Sequence, residues 1–152
     1  MRIAHVVETL QVGGAEQMVV ALARLQRERG HEVAIACLFG EGPLAARARE
    51  AGIEVTDCGK RAGLDLAAAM RLRRWLRARR PEALHTHNPV PHYYAVAAGT
   101  GLGIRIVLNP RHGMGASGDV GRRERLYRWA MRFSDFGVAV CRAARERFVA
   151  QG

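Results

Sequence analysis

The stretch VETLQVGGAEQMVVALARLQRERGHEV, residues 7–33, decides how the rest of the chain reads. It leaves a strand-like apolar run, turns on Gly13 and Gly14, and continues as an amphipathic helix with Met18, Leu22 and Leu25 on one face. Gly30 stands where a helix C-terminal cap is expected, and a second apolar run follows at once. Strand, glycine turn, helix and strand in that order are the makings of a parallel sheet.

The alternation extends along the whole chain. RIAHVVET reads as the first strand, Ala15 to Gly30 as the first helix and HEVAIACLF as the second strand. A short helix from Pro43 to Gly52 follows, then the strand IEVTDC and a helix from Leu64 to Arg80 that Pro81 stops. EALHTH is a fourth strand, PHYYAVAAGTG a fourth helix and IRIVLN a fifth strand. A glycine-rich loop leads to a helix from about Asp119 to Phe133, a sixth strand FGVAV and a closing helix. The expectation is one α/β unit: a Rossmann-like, doubly wound parallel sheet of six strands with helices on both faces. No internal repeat, low-complexity segment or linker interrupts it.

Composition bounds the function. The 152 residues make one domain, and 49% apolar with 25% charged residues is the make-up of an ordinary soluble globular protein. Lys and Arg number 24 against 14 Asp and Glu, a net charge of +10 that favours anionic partners: phosphates, nucleic acid or an acidic membrane surface. Cys37, Cys58 and Cys141 are scattered without CxxC spacing, which argues against a disulfide framework or zinc knuckle and fits a reducing cytoplasm. The opening MRIAHVVETLQ, broken by His5 and Glu8, resembles neither a signal peptide nor a membrane span.

In a doubly wound sheet, ligands bind beyond the carboxyl ends of the strands, so the turns there carry the candidates. Gly13 and Gly14 let a backbone approach a ligand closely, and the helix behind them aims its free N–H groups and positive dipole end at the turn, an arrangement suited to phosphate. The plainer alternative is a tight turn that needs positive φ. The dinucleotide pattern G-x-G-x-x-G is absent, and GTGLG at Gly99 to Gly103 falls between a helix and a strand, the wrong order for NAD.

In LHTHN, His85 and His87 lie two apart on a strand and share a face. A metal reading of this pair needs further ligands from other strand ends, so no metal site is assigned. The alternatives are a strand-end hydrogen-bonding role for His85 and a ligand contact for His87 or Asn88. In NPRHGMGASG, Arg111 and His112 follow a strand end inside a glycine-rich loop, where a cation beside an imidazole suits an anionic leaving group or a hydroxyl nucleophile. The helix LAAAMRLRRWLRARR places Leu64, Ala68, Leu72, Trp75 and Leu76 on one face and Arg73, Arg77 and Arg80 on another. Those arginines either face solvent or dock on anionic headgroups. Cys141 has no base beside it in the pattern and is not read as a nucleophile.

Taken together, the Gly13-Gly14-Ala15-Glu16 opening with ALARLQRERGHEV, the LHTHN segment, the RHG after the fifth strand and FSDFGVAVCRAARERF resemble the N-terminal domain of a GT-B glycosyltransferase of family 4. The resemblance spans the chain in the right order; Cys141 stands where the family usually has Ser, and Pro110-Arg111 replaces the usual approach to the His. It implies the acceptor-binding half of a retaining, metal-independent enzyme that moves a sugar from a nucleotide-sugar to a glycan, lipid-linked or phosphorylated acceptor. The nucleotide-sugar is then a co-substrate, no cofactor is needed, and the nucleotide-sugar-binding domain lies outside residues 1–152. The fragment alone is expected to be inactive.

The resemblance places Gly13 and Gly14 at the donor diphosphate, His112 at the catalytic centre, and His87, Asn88 and Arg111 on the acceptor side. The basic surface suits an acceptor at the inner membrane face, and the expected location is cytoplasmic with peripheral attachment there. Glu8 and Glu16 have the spacing of the family's donor-site Glu pair but sit in the wrong domain for it. Two other readings are a basic module binding nucleic acid or an acidic polymer, and half of a nucleotide-sugar epimerase of the same fold. The few aromatics form no stacking platform, and no nucleic-acid motif is present.

Overall fold

The structure is a computed structural model that describes residues 1–111 and 121–139. Strands and helices alternate as β1 (Arg2–Val7), α1 (Gly14–Glu28), β2 (Glu32–Cys37), α2 (Leu44–Glu50), β3 (Glu54–Asp57), α3 (Leu66–Arg79), β4 (Ala83–Thr86), α4 (Pro89–Gly99), β5 (Ile106–Arg111), α5 (Arg122–Met131) and β6 (Phe136–Ala139). The six strands form one sheet in the order β3-β2-β1-β4-β5-β6, and every pairing is parallel. This is the expected doubly wound arrangement. Its order reverses between β1 and β4, so the crevice for a ligand opens at the carboxyl ends of those two strands.

Alternate residues of the strands feed two cores. Ile3, Val7, Val33, Ile35 and Cys37 pack against Val19 and Ala23 of α1 and Leu44, Ala45 and Ala48 of α2. Ala4, Val6, Ala36 and Leu84 pack on the opposite face against α3, α4 and α5. The helix α4 is buried nearly all round, from Val90 to Val96 without a break, which accounts for its lack of a polar face.

Helix termini follow the local chemistry. Gly30 and Gly52 take positive φ (83° and 71°) just past the ends of α1 and α2. Asp65 caps α3 by accepting a hydrogen bond from Ala68 N at 2.9 Å, and the N–H of Arg61 reaches its other oxygen at 3.0 Å. Those backbone donors hold the Asp65 carboxyl below the usual range.

Three sequence expectations need correction. The buried stripe of α1 is Val19 and Ala23, whereas Met18 and Leu25 are 37% and 52% exposed. Apolar residues run almost unbroken from Met18 to Ala23, so periodicity does not select a face; the small and β-branched pair allows the closest approach to the sheet. In α3, Ala68, Leu72 and Leu76 are buried as expected, but Leu64 precedes the helix and is exposed. Finally, β5 does not end at Asn109: it runs through Pro110 to Arg111, which pairs with Ala139 of β6. Past Leu108 the strand is paired with β6 alone, so a residue without an N–H is tolerated there.

Candidate active site

The two turns at the switch point carry the clearest features. After β1 the chain passes through Leu10, which is buried, to Gly13 at the N-cap of α1. Gly13 has extended backbone (φ −149°, ψ 162°), and neither it nor Gly14 takes positive φ. A turn that demands glycine conformationally is therefore not what this pair provides. A Cβ added at Gly14 meets nothing within 4 Å, and one at Gly13 meets only the movable end of the Glu16 side chain. Packing within the described chain therefore does not require glycine at either position. Gly13 as N-cap gives α1 no side-chain cap, and Gly14 is exposed there.

Gly42 contrasts with both. A Cβ there runs into the backbone of Leu10 and Gln11, so the β2–α2 turn presses directly on the turn that leads to Gly13. Leu44 N donates to Leu10 O at 3.1 Å and holds the two turns together. Sequence reading passed over Gly42, whose role is visible only once the two strand ends lie side by side.

After β4 the turn is His87-Asn88. Asn88 is the N-cap of α4 with φ 71° and ψ 164°, a region populated almost only by glycine, and its side chain makes no cap hydrogen bond. Its ψ suits the residue before Pro89; the strain is in φ. His87 N donates to Val6 O at 2.9 Å, which joins the turn to the end of β1.

The His87 ring does not line the crevice as expected. It is buried, with Nε2 3.1 Å from His5 Nδ1. His85 and His87 do share a face, with ring centroids 4.6 Å apart, and His85 pairs in register with His5 across β1–β4. His5 Nε2 lies 2.7 Å from Gln26 Oε1. Burial pushes the His5 pKa down to about 4, against the raising effect of the Gln26 bond. This third imidazole was not singled out from the sequence, because strand order alone brings it beside the pair.

On the opposite face lies a buried polar network. Asn109 Nδ2 donates to Thr86 Oγ1 at 2.8 Å and to Thr86 O at 3.2 Å, and Tyr127 OH donates to Asn109 Oδ1 at 2.8 Å. The two nitrogens of His92 lie 2.8 Å from Thr86 Oγ1 and 3.0 Å from Ser134 Oγ. Burial lowers the His92 pKa to about 4. The network ties β4, α4, β5 and α5 together two residues before Arg111. Arg111 itself closes β5, and His112 lies outside the described residues, as do Cys141 and the closing helix.

Burial raises the Cys37 and Cys58 thiols to about 12 and about 11, so neither is a nucleophile at neutral pH. Arg73 Nη1 donates to Ala98 O and Thr100 O, both at 2.8 Å, and so closes the end of α4 instead of standing free. Arg77 and Arg80 are exposed. No helix among the described residues is long and apolar enough to cross a membrane.

With this geometry in place, residues 12–152 match the family model for glycosyltransferase family 4. The chain belongs to that family. Its fold is that of the N-terminal domain of GT-B enzymes. HepE of Anabaena, solved in complex with UDP, superposes with a TM-score of 0.79 at 16% identity, over 99% of this chain and 40% of that one. The lipopolysaccharide outer core galactosyltransferase WaaB gives 0.72 at 16% identity, over 100% of this chain and 43% of the other. A UDP-GlcNAc 2-epimerase from Methanocaldococcus jannaschii gives 0.69 at 10% identity, over 100% and 43%. The family 4 chain thus spans about two fifths of the length of these structures. A comparison with curated protein sequences finds no match.

Proposed function

We propose that this family 4 domain is the acceptor-side half of a retaining, metal-independent glycosyltransferase acting on a glycan, lipid-linked or phosphorylated acceptor. The observation that carries the reading is the Gly13-Gly14 turn, where glycine is required neither by φ nor by packing within the described chain. A missing side chain at the exposed amino terminus of a helix suits an anion that approaches from outside, here the donor diphosphate. In the transfer step the N–H groups of that turn stabilise the charge that develops on the leaving diphosphate. Asn88 faces the acceptor from the neighbouring turn with His87 behind it, Arg111 adds positive charge on the acceptor side, and His112 contacts the reacting sugar. The same fold occurs in an epimerase, but the family model favours transfer.

The test uses the full-length protein and a panel of UDP, GDP and ADP with their sugar conjugates. Gly14→Ala is at least as stable as the wild type and loses nucleoside-diphosphate affinity and transfer together. Unchanged affinity in a folded Gly14→Ala protein overturns the assignment of this turn. Product analysis separates transfer from epimerisation, and the isolated domain is expected to fold without turning over. At the membrane, Arg77 and Arg80 are the cations available to anionic lipid; vesicles containing phosphatidylglycerol should retain the protein and lose it on Arg77→Glu.

A further inference from the structure

Below the crevice turns, and reaching one of them at His87, the richest concentration of ligating side chains among the described residues is the stack of imidazoles on the α1 side of the sheet. We propose that His5, His85 and His87 form a site for Zn2+ or an ion of its class, which clamps β1 to β4 just below the switch point. Each ring offers one nitrogen, and these nitrogens all lie within 4.8 Å of one another. His5 Nδ1 and His87 Nε2 are already 3.1 Å apart. Two ligands of a tetrahedral zinc with Zn–N of about 2.0–2.1 Å stand roughly 3.3 Å apart, so that pair is in place and His85 closes by a ring rotation.

The donor set names the ion. Three neutral imidazoles suit Zn2+, Co2+, Ni2+ or Cu2+ and do not suit Ca2+ or Mg2+, which take oxygen ligands. His5 is fully buried, and a neutral imidazole offers its lone pair to a metal without losing a proton. Gln26 supplies the outer partner. With its amide oxygen 2.7 Å from His5 Nε2, that nitrogen carries the proton and Nδ1 presents its lone pair. Without metal, His87 Nε2–H donates to His5 Nδ1. Coordination at both nitrogens moves the His87 proton to its own Nδ1 and leaves the charge of the rings unaltered. His85 is only half-buried and provides the way in. The site holds the two strands whose ends carry the crevice turns; it shares His87 with the proposed acceptor side, and its metal binding is tested apart from sugar transfer.

The experiment titrates chelator-stripped protein with CoCl2 at neutral pH. Expected are one equivalent bound, visible d–d absorption, displacement of the colour by Zn2+, and a higher melting temperature with Zn2+. In NMR the ring protons of His5, His85 and His87 broaden on adding Co2+, while those of His31 and His92 stay sharp. His85→Ala abolishes the absorption, Gln26→Ala weakens affinity by about 10–100-fold, and His31→Ala changes nothing. No d–d absorption at millimolar Co2+ overturns the proposal and leaves an imidazole hydrogen-bond chain only. So does broadening confined to His31, or full binding in His85→Ala; the NMR result decides the matter even if that variant fails to fold.

Discussion

Asn88→Gly should make the protein more stable. Asn88 holds φ 71° with ψ 164°, a conformation that costs a residue with a Cβ about 1–3 kcal/mol and glycine almost nothing. Its side chain makes no cap hydrogen bond to α4, so deleting it removes little. Against the relief stands the extra entropy of glycine in the unfolded chain, about 0.5–1 kcal/mol. Taking the middle of each range, the net gain is about 1 kcal/mol. Urea unfolding followed by circular dichroism should show the midpoint moving up by roughly 0.5 M for an m-value near 2 kcal/mol/M. The melting temperature should rise by about 2–4 °C. In the full-length enzyme the same variant should lose transfer if the proposed acceptor contact of Asn88 is made, because that amide is gone. A variant about 1 kcal/mol less stable than the wild type would refute the strain argument. A stabilised variant with unchanged acceptor kinetics would keep the strain and remove Asn88 from the site.

Gly42→Ala places a methyl group on the backbone of Leu10 and Gln11 and should cost about 1–3 kcal/mol, with weaker nucleoside-diphosphate binding as the β1–α1 turn shifts; a urea midpoint equal to wild type contradicts the contact. Tyr127→Phe leaves Asn109 Oδ1 buried without its donor, a loss of about 1–3 kcal/mol in the same assay, and an unchanged midpoint shows that the network re-forms. His5 and His92 are both held near pKa 4 in the folded chain by burial, below the unfolded value of 6.5. The unfolded chain therefore binds more protons between those values. Stability should fall as pH drops from about 6.5 toward 4, by up to about 1.4 kcal/mol per unit for each histidine, and stay level from these groups above pH 7. A urea midpoint that does not move between pH 7 and pH 5 would exclude buried neutral imidazoles.

The sheet was legible because parallel strands are short apolar runs and their helices end on Gly30, Gly52 and Pro81, signals that act over a few residues. What failed depends on neighbours distant in sequence. The inward face of α1 could not be read from Met18, Leu22 and Leu25, since Val19 and Ala23 are as apolar and the sheet chose them. Pro110 reads as a strand end until β6 takes over as the partner of β5. His5 lies in a segment with no motif, and only the step from β1 to β4 sets it beside His85 and His87. The hydrogen bonds of Asn109 draw on β4 and α5, which no local window contains. Gly13, Gly14 and Asn88 were legible as candidates, whereas the conformations that give them meaning were not.

Those conformations are opposite departures from the residue that each backbone favours. Across the switch point, one wall of the crevice carries glycine where a larger residue fits without strain, and the other carries asparagine where glycine fits with less strain. Stability alone argues for exchanging both, since alanine is the better helix former at the start of α1 and glycine suits the φ before Pro89. A fold tuned only for its own packing has no reason to hold both departures at adjacent strand ends. A ligand that needs bare backbone N–H groups on one side and an amide on the other supplies the reason, and a diphosphate beside an acceptor hydroxyl has that asymmetry. It follows that Gly14→Ala and Asn88→Gly, combined in one protein, should give a chain more stable than the wild type and unable to transfer sugar. A double variant that keeps full activity would show the two turns to be unrelated to the reaction.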